Sequence, residues 1–163
     1  MAILAADTAV STFGVPLKIN VLASVAGDVF YSGALVYVDV GGAGVAGSAT
    51  VVPAVGDRFL GISPKQQTPA AAGDLVEVYI EGVFEIPNST LAATDNGDML
   101  VFDSSGTKTD NPADLVAMLQ ITPVVSDAVV GQIIKADGTR ALIAISPGFS
   151  GRLVATVITN AQT

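Results

Sequence analysis

The chain has no cysteine, no histidine and no tryptophan among its 163 residues. Without thiols there is no disulfide framework, zinc knuckle or thiol nucleophile. Without imidazole, Ser-His-Asp triads, Cys-His dyads and histidine-ligated metal sites are excluded. Charge is also scarce, at 13% of residues, roughly half the usual share. Positive charge is scarcest: 7 Lys and Arg stand against 15 Asp and Glu, for a net charge of -8. Those cations (Lys18, Arg58, Lys65, Lys108, Lys135, Arg140, Arg152) are scattered and build no basic patch. Nucleic acid, whose binding depends on neutralising phosphates, is therefore not an expected partner. Nor is an anionic membrane, which an acidic surface would be repelled by. No uncharged apolar run reaches the ~18 residues of a membrane helix. The richest stretch, Val21 to Val52, is broken by Asp28 and Asp39. The start, Met1 to Asp7, lacks the basic segment of a secretory signal. With the absence of cysteine, this fits folding in a reducing cytosol.

What is present is apolar and β-branched. Hydrophobic residues make up 50% of the chain, enough for one domain with a sizeable core. Val and Ile suit a pleated, half-buried surface. A tight-turn device occurs four times. Gly27-Asp28, Gly56-Asp57, Gly73-Asp74 and Gly97-Asp98 each precede a short apolar run. Glycine supplies positive φ and aspartate hydrogen-bonds nearby amides. The unequal spacing argues against a solenoid and for a barrel or sandwich, each turn launching a strand.

The clearest strand runs from Leu75 to Ile86, with Gly82 resetting its alternation and Pro87 ending it. Asp137-Gly138 predicts a hairpin between Ile133–Lys135 and Arg140–Ile145. Asp103 to Gly106 reads as a second hairpin turn. Leu17, Ile19 and Val21 alternate with Lys18 and Asn20, so a strand there is plausible, behind an extended arm. Residues 112–120 permit one short helix capped by Asn111, or a strand starting near Leu115. Loops 41–48 and 63–72 have flexible compositions, and Leu153 to Ile158 reads as a last strand or an arm. The expected organisation is an arm or first strand over residues 1–23, a β-domain over 24–146, and a terminal strand or tail over 147–163.

Candidate chemistry is thin. Glu77, Glu81 and Glu85 lie on one strand and could supply paired carboxylates, but a solvated strand face is the simpler reading. Ser63-Pro64-Lys65 reads as a turn rather than a Ser-Lys dyad. Asp95, Asn96, Asp98, Asp103, Asp110, Asn111 and Asp114 crowd one segment with hard oxygen donors, yet they miss the EF-hand spacing and are common turn residues. Asn88-Ser89-Thr90 matches a glycosylation sequon and reads as a turn. No catalytic residue, metal or cofactor is expected. The competing reading is a carbohydrate- or calcium-binding adhesin-like β-domain. Tyr31, Tyr37 and Tyr79 are its few aromatic platforms, and a carboxylate-only hydrolase ranks below it.

The order of elements carries a resemblance. Ala26-Gly27-Asp28-Val29-Phe30 comes first. It is followed by Gly56-Asp57 with Phe59-Leu60-Gly61-Ile62, then Gly73-Asp74 with a strand closing in Gly82-Val83-Phe84-Glu85-Ile86-Pro87. Gly97-Asp98 with Met99 to Asp103, and Val130 to Ile133 leading to Arg140 to Ile145, complete it. This order, over about residues 24 to 146, resembles the capsid decoration, or cement, proteins of tailed bacteriophages. The resemblance implies an all-β fold: a small β-barrel, β-tulip-like or sandwich domain with an extended N-terminal arm. It also implies a non-enzymatic virion protein, often a homotrimer, made in the bacterial cytoplasm and placed on the capsid outer surface. There it would clamp neighbouring major capsid subunits. An N-terminal arm could contact the capsid, with Phe13, Val15, Pro16 and Leu17 as anchors.

Overall fold

The computed structural model describes Leu4 and residues 6–38, 44–46, 58–102, 110–117 and 128–146. They form an all-β domain. Its strands are β1 (Ser11–Leu22), β2 (Leu35–Val38), β3 (Val45–Ala46), β4 (Arg58–Ile62), β5 (Leu75–Pro87), β6 (Met99–Phe102), β7 (Val116–Ala117), β8 (Ala128–Ala136) and β9 (Arg140–Ile145). All pairings are antiparallel, in the order β3-β2-β4-β5-β9-β8-β6-β7, with β1 also on β5. Two single 3-10 turns, Ala93–Asp95 and Pro112–Asp114, interrupt the strands. The second is capped by Asn111, whose side chain accepts from the Ala113 amide, and it gives way to β7 two residues on. Over the described residues 112–117 the strand reading near Leu115 holds and the helix does not: one turn ends in an extended Leu115, and β7 follows.

The sheet forks on β5. Along one edge β1 pairs from Leu22↔Leu75 to Ser11↔Glu85. The other edge is divided: β4 meets it at Ile62↔Tyr79, and β9 takes it from Gly82↔Ile145 to Pro87↔Arg140. Two wings result, β4-β2-β3 and β9-β8-β6-β7. They curl round a shared core in which Leu35, Tyr37, Phe59 and Ile62 meet Leu100, Ile133, Ile143 and Ile145. Burying each such side chain is worth about 1.5–3 kcal/mol.

Gly82 explains the fork. Before it, Val76 and Val78 pack with Ala23, Phe30 and Val36 in a second, smaller core. Beyond it, Phe84 and Ile86 enter the main core, where Tyr79 also packs. Tyr79 and Phe84 differ in parity yet share a face, their rings 5.7 Å apart. The alternation therefore flips between them. Gly82 absorbs the flip at φ 151, a conformation L side chains rarely adopt.

The Gly-Asp turns differ among themselves. Gly27, Gly73 and Gly97 have φ of 75, 89 and 90. Gly73-Asp74 leads directly into β5, with Asp74 Oδ2 accepting from Ala71 N at 2.9 Å, and Gly97-Asp98 leads directly into β6. Gly27-Asp28 launches no strand. Phe30 makes one isolated bridge to Gln67, and β2 waits until Leu35. Gly56-Asp57 and the Asp103–Gly106 turn lie outside the described residues, as does the tail 147–163.

The loop over 63–72 is bonded rather than loose. Gln67 exchanges both backbone hydrogen bonds with Phe30, each at 2.9 Å. Its side-chain amide does the same to β5, accepting from Glu77 N at 2.7 Å and donating to Glu77 O at 2.9 Å. A primary amide carries a peptide group's donor and acceptor, so this side chain stands in for a strand residue.

Candidate functional site

The acidic candidates do not converge. Glu77 is held by Lys65 at 2.7 Å and Lys18 at 3.2 Å, and those bonds keep its carboxyl below the usual range. Glu85 pairs with Arg140. Glu81 lies opposite Leu17 and is exposed. The flip at Gly82 puts Glu77 and Glu85 on opposite faces of β5, Glu77 with two lysines and Glu85 with Arg140. Exposed pairs of this kind are screened by solvent and contribute little.

The oxygen-rich segment is occupied by hydrogen bonds from backbone amides, two within turns and two from distant segments. Asp95 Oδ2 accepts from Ala92 N, Asn96 Oδ1 from Ala136 N, Asn111 Oδ1 from Ala113 N and Asp110 Oδ1 from Leu4 N, at 2.7–3.0 Å. Burial, then the charge of Asp95, raises the Asp98 carboxyl above its usual range. Asp103 lies outside the described residues. Among the described residues, no three acidic side chains gather as a cation would need. Of the tyrosines, Tyr37 is wholly buried, its phenol pushed up by desolvation and by Asp110 and Asp114. Tyr79 packs against Phe84, the rings tilted at 41°.

Among the described residues, Asp137 is the most strongly perturbed exposed acid. Its Oδ1 accepts from Arg140 N at 2.9 Å, Thr139 Oγ1 at 2.7 Å and Thr139 N at 2.9 Å, and these bonds bring its carboxyl down to about 2. A depressed acid stabilises the fold above its unfolded pKa, and the gain is lost as pH falls through the folded value. The Asp137→Asn variant should therefore lie closest to the parent near pH 2 and fall behind it above pH 4. Urea midpoints across that range would show no such divergence if the bonds were absent.

The remaining feature is the free edge of β1. Among the described residues the 12-residue β1 pairs only with β5 and has no strand partner on its other side, although Gly44 lies against the Leu22 carbonyl at its end. The other free edges, β3 and β7, are two residues each. Natural sheets usually blunt an exposed edge with charge. This one carries a single ionisable residue, Lys18, already bonded to Glu77. Instead it presents large apolar groups: Phe13 and Leu17 are each 51% exposed and Val15 is 99% exposed. Pro16 is half-buried over Gly82, where a Cβ would lie 2.8 Å from its own. At the far end Leu22 and Leu75 are opposite one another, 48% and 65% exposed. That pair escapes a reading of sequence alone. Leu75 alternates correctly with Val76, and only the sheet's end position leaves it uncovered.

So the sequence-named anchors Phe13, Val15, Pro16 and Leu17 sit together at a break in β1. The turn residues Gly27, Asp28, Gly73, Asp74, Gly97 and Asp98 are spread over separate loops and form no common site. A sparsely charged, apolar strand edge on an acidic protein has the chemistry of a contact surface rather than of a reaction centre. No curated protein matches the chain. A family model described as phage cement protein matches residues 42–131, more than half of it, and on that match the chain belongs to the phage cement protein family.

Proposed function

We propose that this protein binds the outer surface of a phage capsid through the β1 edge and stabilises the head by clamping neighbouring major capsid subunits. Membership of a cement family supports a structural, capsid-stabilising role. The observation that carries the finer reading is the β1 edge, with Lys18 its one charge and Phe13, Val15 and Leu17 turned to solvent. Apolar groups of this size, once desolvated against a partner, behave as anchors. Pro16 resting on Gly82 fixes the break that presents them. The protein works without catalysis, cofactor, nucleic acid or membrane, as a homotrimer, on the virion after synthesis in the host cytoplasm. An acidic outer protein has no need to touch the packaged genome.

The test is binding to purified, expanded heads. Phe13→Asp and Leu17→Asp should each weaken binding by about 30-fold or more, the scale of an anchor worth 2 kcal/mol. Both side chains are half exposed, so the thermal midpoint should change little. Unchanged head binding in both variants would place the contact elsewhere. Sedimentation of the unaltered protein should report three chains.

A further inference from the structure

Residues ahead of β1 form a strap across the two wings. Leu4 N donates to Asp110 Oδ1 (2.8 Å), Ser32 N to Asp7 Oδ1 (2.8 Å), Thr8 N to Ser32 O (2.9 Å) and Arg140 Nη2 to Ala9 O (3.2 Å). Val10 packs against the main core. Thr8 lies so close to Gly33 that a Cβ there would be 2.5 Å from its Cγ2. The strap ends in Ser11, Thr12 and Phe13, which pair with Glu85, Phe84 and Val83.

Then the ladder breaks. Phe13 faces Val83 and Leu17 faces Glu81, so three residues of β1 span one of β5. Gly14 takes φ 76 with nothing within 4 Å of where its Cβ would be, and Val15 is almost wholly in solvent. Pro16 follows, and the residue before a proline favours an extended backbone. A second break between Leu17 and Lys18 returns one residue, since Lys18 faces Tyr79, so this is a short hinge with a net one-residue surplus, the kind of connection that favours exchange of an element between copies.

We propose that in the assembled protein residues 4–13 dock on a second copy of this chain, with the hinge at Gly14–Pro16 opened. The strap's contacts are the same whichever copy supplies it, so their energies cancel, and the hinge decides. Closed, the hinge holds a left-handed glycine and an exposed valine; opened, it runs as plain extended chain. Charge does not oppose the exchange, although the protein is strongly acidic. Asp7 is the only acid in the strap and meets an amide, Asp110 meets the Leu4 amide, and Arg140 meets a carbonyl. Exchange would interlock the copies, so that one could not leave without unthreading a neighbour's strap. It needs the self-association proposed above but not the capsid contact.

The test uses the absence of native cysteine. Ala6→Cys and Ser32→Cys are combined in one chain; Ala6 is exposed and Ser32 half-buried, so both are tolerable surface changes. The purified protein is treated with a short bismaleimide and run on a denaturing gel, beside sedimentation of the untreated sample. Exchange predicts most linked product at the mass of two or more chains. Oligomers with only intrachain links would overturn the exchange and leave self-association standing. Monomers with intrachain links would overturn both, while head binding, measured separately, would still judge the capsid reading.

Discussion

Gly61→Ala should cost this protein about 3–5 kcal/mol, a large fraction of the stability of a typical domain. A Cβ at Gly61 would lie 1.9 Å from the Tyr79 carbonyl oxygen and 2.8 Å from Val78 Cγ1. Carbon and carbonyl oxygen approach to about 3.3 Å at closest, so β4 would have to withdraw from β5 by roughly 1.4 Å. Rotamer changes cannot relieve the clash, because the nearest obstructing atoms, the Tyr79 carbonyl oxygen and carbon, are backbone. The joint is also narrow. Ile62↔Tyr79 is the one registered pair between these strands, and Ile62 is buried at 1% exposure. Pushing β4 away detaches the whole wing β4-β2-β3 and opens the shared core. The thermal midpoint should fall by roughly 6–20 °C, on the scaling for a domain of this size. Gly138→Ala is the control. That glycine has φ 87 but open space around it, so it should lose only about 1–2 kcal/mol. Equal midpoints for the two variants would mean that the close crossing of β4 over β5 does not exist.

The same joint shows which parts of the fold are legible in the sequence. Local chemistry reads well. Alternation from Leu75 onward, the reset at Gly82 and the stop at Pro87 describe β5, and Asp137-Gly138 marks the β8–β9 hairpin. The all-β class and the cement-family resemblance follow from many such local signals in order. Long-range pairing does not read. Gly27-Asp28 has the same turn chemistry as Gly73-Asp74, yet Phe30 is claimed by Gln67, far along the chain. Gln67 itself sits in a segment whose prolines and alanines suggest a loose loop, and only the fold reveals its amide bridging to Glu77. Gly61 looks like an ordinary strand glycine until β5 passes beside it. The candidate edge follows the same division. Lys18 and Asn20 alternating with Leu17, Ile19 and Val21 indicate a strand. Whether a strand lies in the middle or at the edge of a sheet is a property of topology, and the exposure of Phe13, Val15 and Leu17 depends on it.

Asn88→Asp should be the other severe lesion, and its severity should depend on pH. Asn88 is 1% exposed, just past the end of β5. Its Nδ2 donates to Pro112 O at 3.1 Å and Leu115 O at 2.8 Å. Its Oδ1 accepts from Thr90 N, Thr90 Oγ1 and Leu91 N at 2.8–3.1 Å. One amide thus closes a local turn and ties it to the segment entering β7. The sequon reading of these residues as a turn describes only the Oδ1 half. In the aspartate variant the accepting oxygen survives, but the donor becomes a second oxygen facing two carbonyls. A buried, uncompensated charge of this kind costs about 3–5 kcal/mol. Desolvation and the two carbonyls both disfavour the ionised form, so the new carboxyl has a folded pKa above its unfolded value near 3.9. Its penalty is then full at neutral pH and shrinks as pH falls through the folded pKa, where the protonated acid can donate to one carbonyl again. Asn88→Ala leaves the same carbonyls and amides without their partner but adds no titrating group, so its deficit should not follow pH. Urea midpoints at pH 7 and pH 4.5 separate the two cases. The Asn88→Asp deficit should narrow at the lower pH while that of Asn88→Ala stays level. A deficit for Asn88→Asp that ignores pH would mean that position 88 reaches water, and that the tie between β5 and the approach to β7 is made by something other than this side chain.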